Sequence, residues 1–167
     1  NKVKRVQWSH VGMLPEALST LTAHGKRAGF KRDRAKWLAY LHELRKKFAM
    51  NYDRASELIQ PYYVIEEINR ITKGEAIIST GVGQHQMWAA QYFDFRNPRL
   101  FLTSGSMGTM GFGLPAAIGA QFANPGKLVI DIDGDASVRM NIGEMETATT
   151  YNLPVKIVVL NNNGDGM

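Results

Sequence analysis

Apolar residues are spaced in two ways along this chain. Around Trp37 they fall at Trp37, Leu38, Leu41, Leu44 and Phe48, the three-and-four spacing of a helix with one core-facing stripe. Residues 1–54 read as helical and irregular, without a convincing strand. From about residue 61 helix and strand patterns alternate. Pro61 opens a helix whose apolar positions are Val64, Ile65, Ile68 and Ile71, and Gly74 is placed to end it. Residues 75–80 form a short buried-type strand, 81–83 a turn, and 84–93 a helix. Residues 100–103 form another strand, followed by a glycine-rich loop over 104–113 and a small-residue helix over 115–123. After a turn at 124–126 comes the strongest strand, 127–133. Asn141 and Glu144 are spaced as a helix cap and its reciprocal partner, for a helix running to about Tyr151. A last strand spans 155–160.

Strands separated by helices of this length predict an α/β fold with a mostly parallel sheet flanked by helices. The near-continuous apolar strands agree. A mainly helical tail, 1–54, precedes this sheet domain, 55–167. In such sheets ligands bind beyond the carboxyl ends of strands, which selects the loops at 80–85, 103–111, 133–137 and 161–167.

Composition narrows the chemistry. The 167 residues are 44% hydrophobic and 21% charged with no cysteine, which excludes disulfide frameworks, thiolate metal sites and a cysteine nucleophile. No apolar run approaches the roughly 18 residues of a spanning helix, so no membrane partner is expected. The net charge of +5 is divided unevenly: residues 1–54 hold 13 Lys and Arg against 4 Asp and Glu. Lys36, Arg45, Lys46 and Lys47 lie off the Trp37 stripe, as a solvated face or a phosphate-binding one. No aromatic–basic interleaving accompanies them, and nucleic acid is not expected. His10, His24 and His42 lack ligand-like spacing. The chain opens without Met or a signal core and stops at Gly166-Met167, and is read as an excerpt of a longer polypeptide.

Four loops carry candidate chemistry. Asp135 follows Gly134 just past a strand end, and Asn161-Asn162-Asn163 closes the next strand. Each alone is also ordinary turn chemistry. Together they make an all-oxygen set suited to a hard cation such as Mg²⁺. The loop Ser104–Gly113 holds a large apolar residue, Met110, among glycines; it packs helix on sheet closely or shapes a ligand. Gly81-Val82-Gly83-Gln84-His85 opens a helix, where free N–H groups form an anion site, or His85 is simply a cap. The G-x-G-x-x-G dinucleotide pattern is absent.

Gly134-Asp135-Ala136, 24 residues, then Asn161-Asn162 resembles the metal motif of thiamine-diphosphate enzymes, with Ala136 in place of the motif's third glycine. Gly164-Asp165-Gly166 repeats its opening without a partner and is read as a decoy. The run GVGQHQMWAAQ at 81–91, Thr103-Ser104-Gly105, and GTMGFGLPAAIGA at 108–120 resemble the catalytic subunit of acetohydroxyacid (acetolactate) synthase. The similarity is close over about 60–167 and looser back to Trp37.

This resemblance implies a thiamine-diphosphate-binding fold, with 1–54 the end of the middle domain and its linker helices. It places Val82, Gly83, Gln84 and His85 at the diphosphate and assigns Gly108 and Met110 to the bent cofactor and its catalytic geometry. Asp135, Asn162 and the Gly164 backbone oxygen become Mg²⁺ ligands. Gly134, Ala136 and Ser137 lie against the diphosphate, and Gly166 and Met167 line the pocket. The implied reaction joins pyruvate, after loss of CO₂, to a second pyruvate or to 2-ketobutyrate, opening branched-chain amino acid synthesis. FAD is expected mostly outside this chain. A homodimer or homotetramer with its active site between subunits is expected, and a separate regulatory subunit is a further expected partner. The compartment is cytoplasmic if bacterial, plastid or mitochondrion if eukaryotic. The activating glutamate belongs to the missing first domain, so these residues alone are expected to be inactive. The competing readings are a sister enzyme (pyruvate oxidase, glyoxylate carboligase, a 2-keto acid decarboxylase), a non-catalytic cofactor module, and a nucleotide-binding dehydrogenase.

Overall fold

A computed structural model describes residues 3–7 and 9–164. The chain divides into two compact units, the first ending at Asn51 and the second opening at Tyr52. The division precedes the boundary expected after residue 54 because Tyr52 and Arg54 both bind Glu66. The Tyr52 hydroxyl donates to Glu66 Oε2 at 2.6 Å, and Arg54 Nη2 donates to both carboxylate oxygens at 3.0 and 2.8 Å.

The first unit holds helices α1 (Leu14–Arg27) and α2 (Ala35–Lys47) and no strand among its described residues. Neither helix buries a residue. The stripe expected to face a core is therefore exposed: Trp37 is 58% and Phe48 66% accessible. Two short helices bring too little apolar surface together to enclose one.

The second unit runs α3 (Pro61–Thr72), β1 (Ile77–Thr80), α4 (Gln84–Tyr92), β2 (Phe101–Leu102), α5 (Gly113–Ala123), β3 (Val129–Gly134), α6 (Asp135–Arg139), a 3₁₀ turn (Ile142–Glu144), α7 (Met145–Thr150) and β4 (Lys156–Leu160). Pro61 sits in the first turn of α3, where its missing N–H is no loss. Lys73 already takes the left-handed conformation at φ 55°, and Gly74 follows at φ 71°. A side chain on Gly74 would meet the Asp94 carbonyl oxygen.

All strand pairings are parallel, in the order β2-β1-β3-β4. On one face Ile65 of α3 and Ala89 and Phe93 at α4 pack on Ile78, Ile130 and Ile132. On the other, Ala117 of α5 packs on Ile77, Val129 and Leu100. Each isoleucine buried here contributes about 1.5–3 kcal/mol over an exposed one.

The single helix expected from Asn141 to Tyr151 is broken into a 3₁₀ turn and α7, and Asn141 does not cap it. Its amide reaches across to the Gly111 carbonyl at 2.8 Å instead, while Glu144 accepts from the Thr147 hydroxyl. A long-range partner has displaced the local cap.

The order also places a crevice. From β1 the chain moves outward to β2, and from β3 it moves outward the other way to β4. The reversal lies between β1 and β3, the position where open α/β sheets hold ligands.

Candidate functional site

Three backbones converge beyond that reversal. β1 ends at Thr80 and the chain turns through Gly81-Val82-Gly83 into α4. Gly81 has no room for a side chain: a Cβ there would strike Asp133 Oδ1 and Ser137 Oγ. Gly83 has φ 155° and lies against the His85 ring, as does Gly134. No side chain caps the start of α4.

A cavity of about 540 Å³ opens here. Val82, Gly83, Gln84 and His85 line it from the first loop. Gly134, Asp135, Ala136 and Ser137 line it from the end of β3, and Asn162 and Gly164 from the end of β4. Met110 alone enters from the glycine loop. Gly108 does not line it; it has φ +65° and stands near Val82 Cγ1. Gly166 and Met167 lie outside the described residues. The apolar part of the cavity, lined by Ile59, Pro61, Val64, Trp88, Val158, Val159 and Leu160, carries no motif of its own. Trp88 could have been found one helical turn after His85.

Asp135 is the first residue of α6, not a loop residue, and Ala136 follows within the helix. Helical backbone suits alanine better than glycine, so the departure from the motif costs nothing locally. Arg139 Nη2 binds Asp135 Oδ2 at 3.1 Å and leaves Oδ1 turned toward β4. The strand register pairs Asp133 with Val159 and Gly134 with Leu160, which brings Asp135 and Asn162 onto adjacent strand ends.

Among the asparagines, Asn161 also lines the cavity and accepts the Asn163 N–H at 2.8 Å. Asn162 faces the crevice. One end of its carboxamide lies 2.6 Å from the Gly164 carbonyl oxygen and 3.2 Å from Asp135 Oδ1. With nitrogen at that end the amide donates to both. With oxygen there, three oxygens cluster. Adjacent ligands of a small octahedral cation at 2.0–2.1 Å stand about 2.9 Å apart, so the observed spacings bracket what such an ion requires. With the amide oxygen at that end the residues fit a hard cation.

Behind this rim the β3 face toward α5 is polar and closed. Asp131 and Asp133 are fully buried, and Ser137 is 1% accessible. Burial, with Asp133 adding to it, pushes the Asp131 carboxyl up to about 8. His85 is 5% accessible, so its ring is sunk under the rim rather than projecting from it. Its Nε2 lies 3.3 Å from Asp133 Oδ1, too far out of line to form a hydrogen bond. The Ser137 hydroxyl also turns inward, accepting the Val82 N–H at 3.2 Å and the Gly111 N–H at 3.0 Å. Gln86 ties α4 to the glycine loop through Thr103 Oγ1 at 2.7 Å and the Ser104 carbonyl at 3.2 Å.

A parallel α/β sheet with polar groups gathered at its reversal point is the arrangement of a cofactor-binding domain. Residues 81–167 match the family model "Thiamine pyrophosphate enzyme, C-terminal TPP binding domain", and the chain belongs to that family. It is also similar to plant enzymes: 53% identical over 135 residues to acetolactate synthase 2, chloroplastic, of Brassica napus, covering 81% of this chain and 21% of that protein. Against acetolactate synthase 1, chloroplastic, of Nicotiana tabacum it is 51% identical over 142 residues, covering 85% and 21%. Against acetolactate synthase, chloroplastic, of Arabidopsis thaliana it is 51% identical over 137 residues, covering 82% and 20%. The chain thus spans about a fifth of the length of these relatives.

Proposed function

We propose that this chain is the cofactor-binding part of an acetolactate synthase catalytic subunit. The reading is carried by one observation: Asp135, Asn162 and Gly164 gather three oxygen-bearing groups in the cavity that Met110 enters. Asp135, Asn162 and the Gly164 carbonyl would hold Mg²⁺. Val82, Gly83, Gln84 and the backbone of Gly134, Ala136 and Ser137 would lie along the diphosphate, with His85 beneath. Met110 would support the bent cofactor from its apolar side, with the Gly108 carbonyl as a partner for its amino group. When bound, thiamine diphosphate supplies the electron sink that lets a 2-keto acid lose CO₂ and join a second keto acid. The chain's own residues orient that group, exclude water from it and fix its charge.

The substrates would be pyruvate with a second pyruvate or 2-ketobutyrate, giving the first committed intermediates of branched-chain amino acids. FAD would be held mostly by domains outside these residues. A homodimer or homotetramer, with a separate regulatory subunit, completes the assembly, and the chloroplastic names of the relatives favour a plastid. No helix among the described residues is long and apolar enough to cross a membrane.

The test is to purify the complete protein, identify its cofactor by mass spectrometry, and assay products from pyruvate. Thiamine diphosphate with acetolactate is the expected result. Acetyl phosphate or tartronate semialdehyde would point to a sister enzyme, and bound NAD would overturn the reading. The 167 residues alone are expected to make no acetolactate.

A further inference from the structure

Met110 is the one large apolar side chain that the glycine loop sends into the cavity, and glycines surround it. A methionine on a glycine-rich loop is free to point in many directions unless something outside the loop fixes it. The fixing groups lie on the residue that follows. Gly111 is buried with φ +81°. Its N–H donates to Ser137 Oγ at 3.0 Å, and its carbonyl accepts from Asn141 Nδ2 at 2.8 Å. A Cβ on Gly111 would lie 2.9 Å from Asn141 Nδ2 and 3.0 Å from Met140 Cβ, so the approach is close on both sides.

The Gly111 N–H belongs to the peptide group that closes Met110, and the Gly111 carbonyl belongs to the next one. Ser137 thus holds the peptide plane after the Met110 Cα, and the Phe112 N–H, donating to the Thr109 carbonyl at 3.4 Å, holds the plane before it; Ser137 and Asn141 together fix the Gly111 torsions that anchor the C-terminal side of Met110. Both gripping side chains come from the segment that begins at Asp135. Ser137 Oγ holds the Val82 N–H as well, so one short stretch links the oxygen cluster, the first loop and the Met110 loop.

We infer that Asn141, acting with Ser137, is a positioning residue that aims Met110 into the cofactor cavity. Asn141 lines no part of that cavity, and its effect passes through Gly111. The inference rests on the thiamine-diphosphate reading for the occupant, while the clamp itself is a property of the chain.

The experiment compares Asn141→Ala, Met110→Ala and the double variant in the complete polypeptide. In cofactor-free protein, backbone amide exchange over 104–113 is followed by mass spectrometry. Asn141→Ala is expected to speed it, and unchanged exchange overturns the clamp. With thiamine diphosphate and Mg²⁺ saturating, exchange of the cofactor's acidic ring proton for deuterium is timed by NMR. Each single variant is expected to slow it about tenfold, and the double variant no more than Met110→Ala alone. That non-additivity is the mark of a residue acting through another. Multiplicative losses, or a normal rate in Asn141→Ala, overturn the inference. If Asn141→Ala does not fold, Asn141→Asp keeps the outline without the donor and is read in the same way. A wild-type protein that binds no thiamine diphosphate sinks the functional reading, while the amide exchange still decides the clamp.

Discussion

Asp131 and Asp133 leave the same face of β3 and are both fully buried, yet neither is neutralised by a well-formed ion pair. Both carboxylate oxygens of Asp131 and one of Asp133 lack a hydrogen-bond partner. The chain has placed two acids where solvent cannot help them, directly behind the Gly81 turn.

The first expected outcome concerns pH. The Asp131 carboxyl is pushed up to about 8 by burial and by Asp133, against an unfolded value near 4. Between those values the folded protein binds the extra proton, so stability falls as pH rises from about 4 to about 8. Asp131→Asn removes the titrating group. Its melting temperature should vary less with pH over that window and exceed the wild type's at pH 8. Equal slopes in the two melting profiles would count against a protonated Asp131.

Ser137→Ala leaves the buried Val82 and Gly111 N–H groups without their acceptor. An unsatisfied buried donor costs about 1–3 kcal/mol. Denaturant unfolding should show a loss of about 3 kcal/mol, and Ser137→Thr should recover part of it.

Gly113→Ala is expected to be worse than its size suggests. The new methyl group would strike Asp131 Oδ1 and the backbone at Gly81 and Thr80, and backbone in a central strand has little room to retreat. A loss of about 3 kcal/mol is expected, read from the unfolding midpoint. Gly119→Ala on the same helix, with open space around it, should be neutral or stabilising.

Asp135→Ala in the complete protein should remove Mg²⁺-dependent cofactor binding. Asn162→Ala should weaken Mg²⁺ at least about tenfold, as loss of a ligand-holding group does. Calorimetric titration with Mg²⁺ and thiamine diphosphate measures both. Unchanged binding in Asp135→Ala would dismiss the oxygen cluster as a metal site.

The parallel sheet was legible because short strand patterns centred on Ile77-Ile78 and on Leu128-Val129-Ile130 are separated by helix-length segments, and strand ends then pointed to the crevice. The Asp135–Asn162 meeting was legible from the placement of both residues at strand ends of one sheet, sharpened by their spacing. Other features were hidden because they depend on contacts between distant residues. Asn141 reads as a cap until Gly111, thirty residues away, competes for its amide. His85 reads as a helix cap or part of an anion site until Gly83 and Gly134 close on its ring. Trp37 reads as a core residue because periodicity reports a face, not whether anything in the same unit covers it.

The pairing of Gly134 with Leu160 has one more consequence. Side chains alternate along a strand, so sliding β4 by a single position would invert its two faces and carry the Asn162 amide off the Asp135 carboxylate. A misthreaded molecule would still be compact and helical, but the proposed magnesium site would be lost. On that proposal, sensitivity to the ion doubles as a gauge of whether the last strand has docked in its proper alignment.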